Sequence, residues 1–165
     1  ASGKDKEMRR AALFAIAEHE GAGVRDILLD AALNNPDEEL AEAAVFALME
    51  GEAKLGPEAM LGLLKKARSP RTRRAVLMTI AEEGGAGSVK TLAALLKDEK
   101  DAEMRRLAAF GLGQTESDEA IPILLDLVRT DKDAGVRTAA VQALGEIGTP
   151  KAKAALLEIL DRKED

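Results

Sequence analysis

The sequence contains no cysteine, tryptophan or tyrosine, and only three phenylalanines. Without cysteine the chain has no disulfide, no zinc-thiolate site and no thiol nucleophile, which is compatible with a reducing compartment. Valine and isoleucine are also sparse, and this disfavours β-rich architectures. We therefore expect an all-α protein of the cytoplasm that carries out no redox chemistry.

A surplus of positive charge is absent as well. The chain has 24 basic and 30 acidic residues, so its net charge is −6 at neutral pH. An acidic balance disfavours general attraction to nucleic acid or to anionic lipid. No apolar run approaches the roughly 20 residues that a membrane-spanning helix needs. We expect a protein that binds neither nucleic acid nor membranes.

The sequence does contain an internal repeat, with a period of 32 residues. One aligned column holds Arg9, Ala41, Arg73, Arg105 and Arg137. Two apolar columns hold Ile16, Leu48, Ile80, Leu112 and Leu144, and Leu28, Met60, Leu92, Leu124 and Leu156. This register predicts one domain, residues 1–165, made of five repeats at 5–36, 37–68, 69–100, 101–132 and 133–165.

Each repeat carries two stretches with the apolar spacing of an amphipathic helix. The earlier stretch is represented by Met8, Ala12, Leu13 and Ile16 in the first repeat and by Val136, Ala140, Val141 and Leu144 in the fifth. Asp5, Asp101 and Asp133 stand where an N-cap accepts amide hydrogen bonds. Thr149 and Pro150 read as a cap followed by proline at the first helical position. Each repeat is therefore predicted to be a hairpin of two helices.

A single helix hairpin cannot bury both of its apolar faces, so neighbouring hairpins must stack. The sequence thus predicts a right-handed α-solenoid of five two-helix repeats. The stretches DAEMRRLAAFGLGQTESDEAIPILLDLV at 101–128 and DAGVRTAAVQALGEIGTPKAKAALLEIL at 133–160 resemble HEAT-like repeats of the short type associated with phycobilin lyases and small bacterial repeat proteins. The resemblance implies the fold but not the function, because the same scaffold hosts binding proteins, chaperone-like lyases and enzymes.

The arginine column is interpreted as structural. The pairs Asp5 and Arg9, Asp101 and Arg105, and Asp133 and Arg137 are each four residues apart. This spacing places both members of a pair on one side of the same helical turn. The resemblance to HEAT-like repeats implies that such residues form a ladder between repeats.

The chain has one histidine, His19, beside Glu20 near the predicted end of a helix. One branch of HEAT-like proteins, resembling deoxyhypusine hydroxylase, holds two irons with His-Glu pairs in the first helix of several repeats. The matching positions here hold Arg10-Ala11, Glu42-Ala43, Arg74-Ala75, Arg106-Leu107 and Thr138-Ala139. A histidine at a helix C-terminus interacts favourably with the helix dipole. We expect no metal, no cofactor and no enzymatic activity.

A basic cluster, KKARSPRTRR at residues 65–74, contains no acidic residue. The residues of this cluster predicted to form a basic patch are Lys66, Arg68, Arg71 and Arg74. Arg71 and Arg74 open a predicted helix, where positive charge is mildly unfavourable. The ladder between repeats, solvent or an acidic partner can offset that cost, and all three stay open.

A further column holds Phe14, Phe46, Met78, Phe110 and Gln142. It lies away from the main apolar stripe of the first helices. In resembling repeats such side chains pack along the seam between neighbouring units, and this is the favoured interpretation. An exposed apolar ridge that binds protein is the alternative.

By analogy with HEAT solenoids, the second helices form the concave surface. Their outward positions carry both signs of charge and are the predicted partner contacts: Asp26, Asp30, Glu58, Lys65, Lys90, Lys97, Asp126, Arg129 and Glu158. We predict a non-enzymatic, monomeric scaffold that binds a protein or peptide on this face. Two alternatives stay open: an engineered repeat scaffold without a native partner, and an enzyme accessory such as a lyase-like handler of a chromophore or client. A deep pocket with convergent polar groups would favour the accessory.

Overall fold

The computed structural model describes residues 3–19, 21–51 and 55–161. Within these ranges the regular elements are helices and no strand occurs. The α-helices are α1 (Gly3–Ala17), α2 (Ala22–Asn34), α3 (Glu38–Glu50), α4 (Pro57–Lys66), α5 (Pro70–Glu83), α6 (Gly85–Asp98), α7 (Ala102–Gln114), α8 (Ile121–Thr130), α9 (Ala134–Ile147) and α10 (Pro150–Asp161). None of these helices is long and apolar enough to span a membrane. The predicted all-α fold is confirmed.

The odd-numbered helices coincide with the first stretch of each predicted repeat, and the even-numbered helices coincide with the second. A short 3-10 helix, Asp118–Ala120, precedes α8. The alternation of first and second helices predicted from the sequence is therefore present. The number of repeats, their period and the handedness of the solenoid stay predictions.

Packing of the Cα atoms divides the chain into two compact units, Ala1–Thr79 and Ile80–Asp165, with the boundary inside α5. In the first unit α3 packs against both α1 and α2, and α2 also contacts α4. In the second unit α9 packs against α7, α8 and α10, while α6 packs against α7. The single domain expected from the sequence stays a prediction.

The apolar columns of the repeat register supply much of the core of each unit. Their fully buried members are Leu28, Leu48 and Met60 in the first unit and Ile80, Leu92, Leu112, Leu124 and Leu144 in the second. Burial of one such side chain stabilises a fold by roughly 1.5–3 kcal/mol. Stacking of the helices therefore hides the side chains that the sequence pattern selects.

Side-chain caps define several helix starts. Asp101 and Asp133 accept hydrogen bonds from amides in the first turns of α7 and α9, as predicted. Thr149 caps α10 in the same way, with Pro150 as its first residue. The expectation that Asp5 is an N-cap is wrong, because α1 already begins at Gly3 and Asp5 lies within its first turn.

The sequence also predicts burial of Met8 in the apolar stripe of α1, and this expectation is wrong. Met8 is 69% exposed, whereas the residues at equivalent register positions, Leu40, Met104 and Val136, are 4%, 3% and 0% exposed. Val136 is covered because α9 packs against α7. No helix among the described residues covers the corresponding side of α1.

Two buried hydroxyl groups, those of Thr72 and Ser88, have no hydrogen-bond partner among the described residues. Thr72 is 1% exposed. It takes the register position that Leu40, Met104 and Val136 fill in other helices. A buried hydroxyl left without a partner costs roughly 1–3 kcal/mol. The register therefore places a polar atom where an apolar side chain would be more stable.

Replacing Thr72 by valine keeps the shape of the side chain and removes the unpaired hydroxyl. We expect the free energy of unfolding to rise by about 1 kcal/mol, measured by urea denaturation followed by circular dichroism. Thr79→Val is the control, because the Thr79 hydroxyl donates to the Ala75 carbonyl at 2.8 Å in a similarly buried position. Equal effects of the two substitutions would show that the missing partner is not the cause.

Candidate binding surfaces

All nine predicted partner-contact residues lie on even-numbered helices and are exposed. In the first unit they are Asp26 and Asp30 on α2 and Glu58 and Lys65 on α4, and in the second unit they are Lys90 and Lys97 on α6, Asp126 and Arg129 on α8, and Glu158 on α10. We call these residues the second-helix surface of each unit. Acidic residues are in the majority on this surface in the first unit, and basic residues are in the majority in the second.

Two of the nine residues meet directly. The Arg129 Nη2 atom donates to Glu158 Oε1 at 2.5 Å, which joins α8 to α10. The two side chains are 40% and 57% exposed. On α2, Asp30 accepts a hydrogen bond from Asn34 at 2.7 Å, within the same helix. The second unit therefore brings charged side chains of adjacent second helices together at the protein surface.

The four residues of the predicted basic patch, Lys66, Arg68, Arg71 and Arg74, are exposed. The Arg71 guanidinium donates to Glu42 Oε2 of α3 from Nη2 at 2.6 Å and from Nε at 2.7 Å. This hydrogen-bonded carboxylate raises the pKa of Arg71 above its usual range. Of the three compensations that the sequence left open, an ion pair within the protein applies to Arg71.

A second acidic residue of α3 faces the same loop. The Ser69 hydroxyl donates to Glu38 Oε1 at 2.7 Å. The loop before α5 is therefore held to α3 by Glu38 and Glu42 together. An acidic ligand at the basic cluster would compete with these carboxylates, which weakens the case for an anionic partner there.

Arg105 has a different partner from the one that its sequence spacing predicts. Its side chain is only 7% exposed, and it forms a two-point ion pair with Asp131, in which Nε donates to Oδ2 at 2.7 Å and Nη2 donates to Oδ1 at 2.9 Å. The expected pairing of Arg105 with Asp101 is wrong, because the Asp101 carboxylate is occupied in capping α7. The ion pair lowers the pKa of Asp131 below its usual range.

Asp131 also contacts the next arginine of the column. Arg137 donates from Nη1 to the Asp131 carbonyl at 2.9 Å and to the Lys132 carbonyl at 3.3 Å. The equivalent Nη1 of Arg105 donates to the carbonyls of Glu99 and Lys100. These two arginines therefore hold the loops between hairpins in place, and the structural interpretation of the arginine column is confirmed for them.

His19 lies two residues beyond the end of α1 and is exposed. Its backbone amide donates to the Ile16 carbonyl at 3.1 Å, so the chain is still turning there. The neighbouring Glu20 lies outside the described residues. Within the part of the chain that the structure describes, no group of three or more potential ligands could hold a metal ion.

The column of large apolar residues is not part of the buried core. Phe14, Phe46 and Met78 are half-buried, Phe110 is 43% exposed and Gln142 is exposed. The column therefore changes character along the chain, from partial packing in the first unit to a solvent-exposed ring at Phe110.

Arg10 shields one ring of this column. Its guanidinium carbon lies 5.9 Å from the centre of the Phe14 ring, within the range of a cation–π interaction. The register equivalent of Arg10 in α7 is Arg106, which instead pairs with Glu103. This difference is consistent with the greater exposure of Phe110.

The first unit also contains a groove that the sequence analysis did not identify, with a volume of about 340 Å³. Phe46 lines it together with the buried residues Leu40 and Ala43 of α3. Charged side chains from α1 and α5, including Arg10 and Arg71, complete its lining. The one sequence signal for this groove is the column that contains Phe46.

Ion pairs cross the groove between α1 and the start of α3. Lys6 Nζ lies 3.0 Å from Asp37 Oδ2 and 3.4 Å from Glu39 Oε2. The hydrogen bond between Lys6 and Asp37 raises the pKa of the lysine and lowers that of the aspartate. Because these charges pair with one another, they do not converge on the centre of the groove as the side chains of a catalytic pocket would.

A family model described as HEAT repeats matches residues 89–165. Among solved structures, human deoxyhypusine hydroxylase in complex with glycerol matches with a TM-score of 0.56 at 19% sequence identity, over 94% of this chain and 74% of the other. A search of curated proteins gives no match. At this level of identity the structural likeness shows the fold alone. The resemblance to HEAT-like repeats and the solenoid fold class are confirmed.

Proposed function

We propose that this HEAT-like repeat protein is a non-enzymatic scaffold that binds a protein or peptide through its second-helix surface. The ion pair between Arg129 of α8 and Glu158 of α10 carries the proposal. Because these side chains meet, charged groups from adjacent second helices share one surface. A ligand that lies across α8 and α10 would contact both of them.

The mixed charge of this surface suits a polar protein partner. An exposed ion pair such as Arg129–Glu158 contributes at most about 1 kcal/mol to stability. Either side chain can therefore exchange its intramolecular partner for a ligand group at little cost. Charge complementarity of this kind governs specificity and the rate of association more than affinity.

The absence of enzymatic activity is proposed on sequence grounds. The positions that match the metal-binding His-Glu pairs of the hydroxylase-like branch begin with three arginines, one threonine and one glutamate. Arginine carries five donors and no acceptor, so it cannot ligate a metal cation. HEAT-like folds support both catalysis and binding, and the residue types at these positions favour binding.

Charge reversal on the second-helix surface tests the binding proposal. We expect the variant Lys97→Glu/Arg129→Glu to lose the partners that the unmodified protein retains in a pull-down from its source cell, identified by mass spectrometry. The reason is that both cations face solvent on neighbouring second helices. The matched control is Lys100→Glu/Lys132→Glu, which changes the charge equally at exposed residues of the loops between hairpins.

Selective loss of partners in the first variant supports the proposed surface. Retention of the same partners by both variants would place the interaction elsewhere, and equal loss in both would point to net charge rather than to a defined surface. Circular dichroism should show that both variants remain folded, because the four substituted side chains are exposed.

A further inference from the structure

The seam between α7 and α9 gives a template for how first helices stack in this protein. A Cβ atom on Gly113 of α7 would lie only 2.9 Å from the Cα of Ala143 on α9. Ala143 is 2% exposed, and Val136 and Ala140 on the same side of α9 are 0% exposed. The α7–α9 seam is therefore a close contact between a glycine on one helix and small or apolar side chains on the next.

The side chains of α9 and α10 one repeat further along repeat this pattern, but they face solvent. Gly145 is the register equivalent of Gly113, and a Cβ atom there would have nothing within 4 Å. Val141 is half-buried. Leu157 and Leu160 on α10 are 61% and 79% exposed. We call these four residues the α9–α10 face.

The complementary half of the seam is exposed on α1 and α2. Met8, Ala12 and Ala15 are the register equivalents of the buried seam residues of α9, and all three are exposed. Ile27 on α2 is 52% exposed, whereas its equivalent on α10, Ala155, is 6% exposed. We call Met8, Ala12, Ala15 and Ile27 the α1–α2 face.

We propose that the α9–α10 face of one molecule binds the α1–α2 face of a second copy, in the register of the α7–α9 seam. Gly145 would then meet Ala15 of the partner copy as Gly113 meets Ala143. The occupant is a second copy because this chain itself presents both halves of a seam whose internal example is closely packed. This contact continues an interface that already exists within the molecule.

Charge also fits this arrangement. In the α7–α9 seam, the negative charge of Asp133 acts favourably on the Arg105 guanidinium. One repeat further along, the arginine is Arg137, whose printed bonds go to backbone carbonyls. The residue of α1 equivalent to Asp133 is Asp5. Stacking in the same register would bring Asp5 of the second copy towards Arg137.

Because the two faces differ, the contact is heterologous, and each added copy presents a new α9–α10 face. The expected product is an open series of stacked molecules rather than a closed dimer. This inference replaces the monomer expected from the sequence, and it does not depend on the second-helix surface.

Sedimentation velocity of the 165-residue chain over a wide concentration range tests the proposal. We expect the mass to rise with concentration beyond that of a dimer. Leu157→Glu/Leu160→Glu should be monomeric, as should Met8→Glu/Ala12→Glu, because each variant lacks one of the two faces. A mixture of these two variants should form a one-to-one dimer and nothing larger, because one intact face of each kind is left.

Phe110→Glu is the matched control. Phe110 is 43% exposed but lies on neither face, so this variant should assemble like the parent. Circular dichroism should show all variants folded, because the altered side chains face solvent. A monomeric parent at every concentration would overturn the proposal. Self-association of Met8→Glu/Ala12→Glu, with Leu157→Glu/Leu160→Glu monomeric, would also overturn it, because like faces would then be pairing. Unchanged assembly of both variants would place the contact elsewhere.

Discussion

Replacing Asp131 by alanine is expected to lower the free energy of unfolding by about 3–5 kcal/mol, because removal of one member of a buried ion pair leaves the other charge without compensation. The side chains of Arg105 and Asp131 are only 7% and 6% exposed. The substitution would leave the Arg105 guanidinium in that environment without a carboxylate. Urea denaturation followed by circular dichroism measures the loss.

Glu158→Ala provides the control for this prediction. It breaks the exposed Arg129–Glu158 pair, and we expect a cost below about 1 kcal/mol. The double variant Arg105→Met/Asp131→Leu removes both buried charges and should recover much of the stability lost in Asp131→Ala. A cost for Asp131→Ala no larger than that for Glu158→Ala would contradict the importance assigned to the buried pair.

The same ion pair predicts a dependence of stability on pH. The hydrogen bonds from Arg105 hold the pKa of Asp131 below its usual range. The stabilisation by this carboxylate is therefore fully present above the ordinary aspartate pKa of about 3.9. It is lost as the pH falls through the lower pKa of the folded state. Unfolding measured below about pH 4 should show a smaller loss of stability with acid in Asp131→Ala than in the parent.

Substitution of Gly113 by alanine is expected to lower the free energy of unfolding by about 1–3 kcal/mol, as overpacking typically does. Alanine is the better helix former by about 1 kcal/mol, so the sign depends on the contact. The added Cβ would lie 2.9 Å from the Cα and 3.0 Å from the Cβ of Ala143. These atoms belong to a packed helix and cannot move without shifting α9 against α7.

Gly145→Ala is the matched control, because Gly145 holds the same register position one repeat later. A Cβ there has nothing within 4 Å. We expect this substitution to raise the free energy of unfolding by about 0.5–1 kcal/mol through helix propensity alone. Both variants should be measured at low protein concentration, since Gly145 belongs to the α9–α10 face. Stabilisation by both substitutions would show that the α7–α9 seam yields easily.

Much of the helical fold was predictable from local sequence. The spacing of apolar residues marks each helix, and Asp101, Asp133 and Thr149 mark three helix starts. These signals are local because a helix is closed by hydrogen bonds four residues apart. The exposure of the nine second-helix residues also followed from their positions on the helical projection.

Contacts between helices were not predictable in the same way. Arg105 has an aspartate four residues before it in the sequence, yet it pairs with Asp131, 26 residues away. The choice depends on where the loop before α9 lies, and that position is set by packing. Similarly, the sequence pattern of α1 matches that of α9, but only packing decides that Val136 is covered and Met8 is not.

Asp131 has a consequence for how the second unit unfolds. Repeat arrays often lose their units one at a time, because each unit interacts only with its neighbours through separable interfaces. Here one residue serves two arginines, with its carboxylate bound to Arg105 and its carbonyl bound to Arg137. Fraying of either hairpin removes a partner from this shared residue. The loop before α9 therefore couples the opening of α7 to that of α9, and this part of the array should open cooperatively.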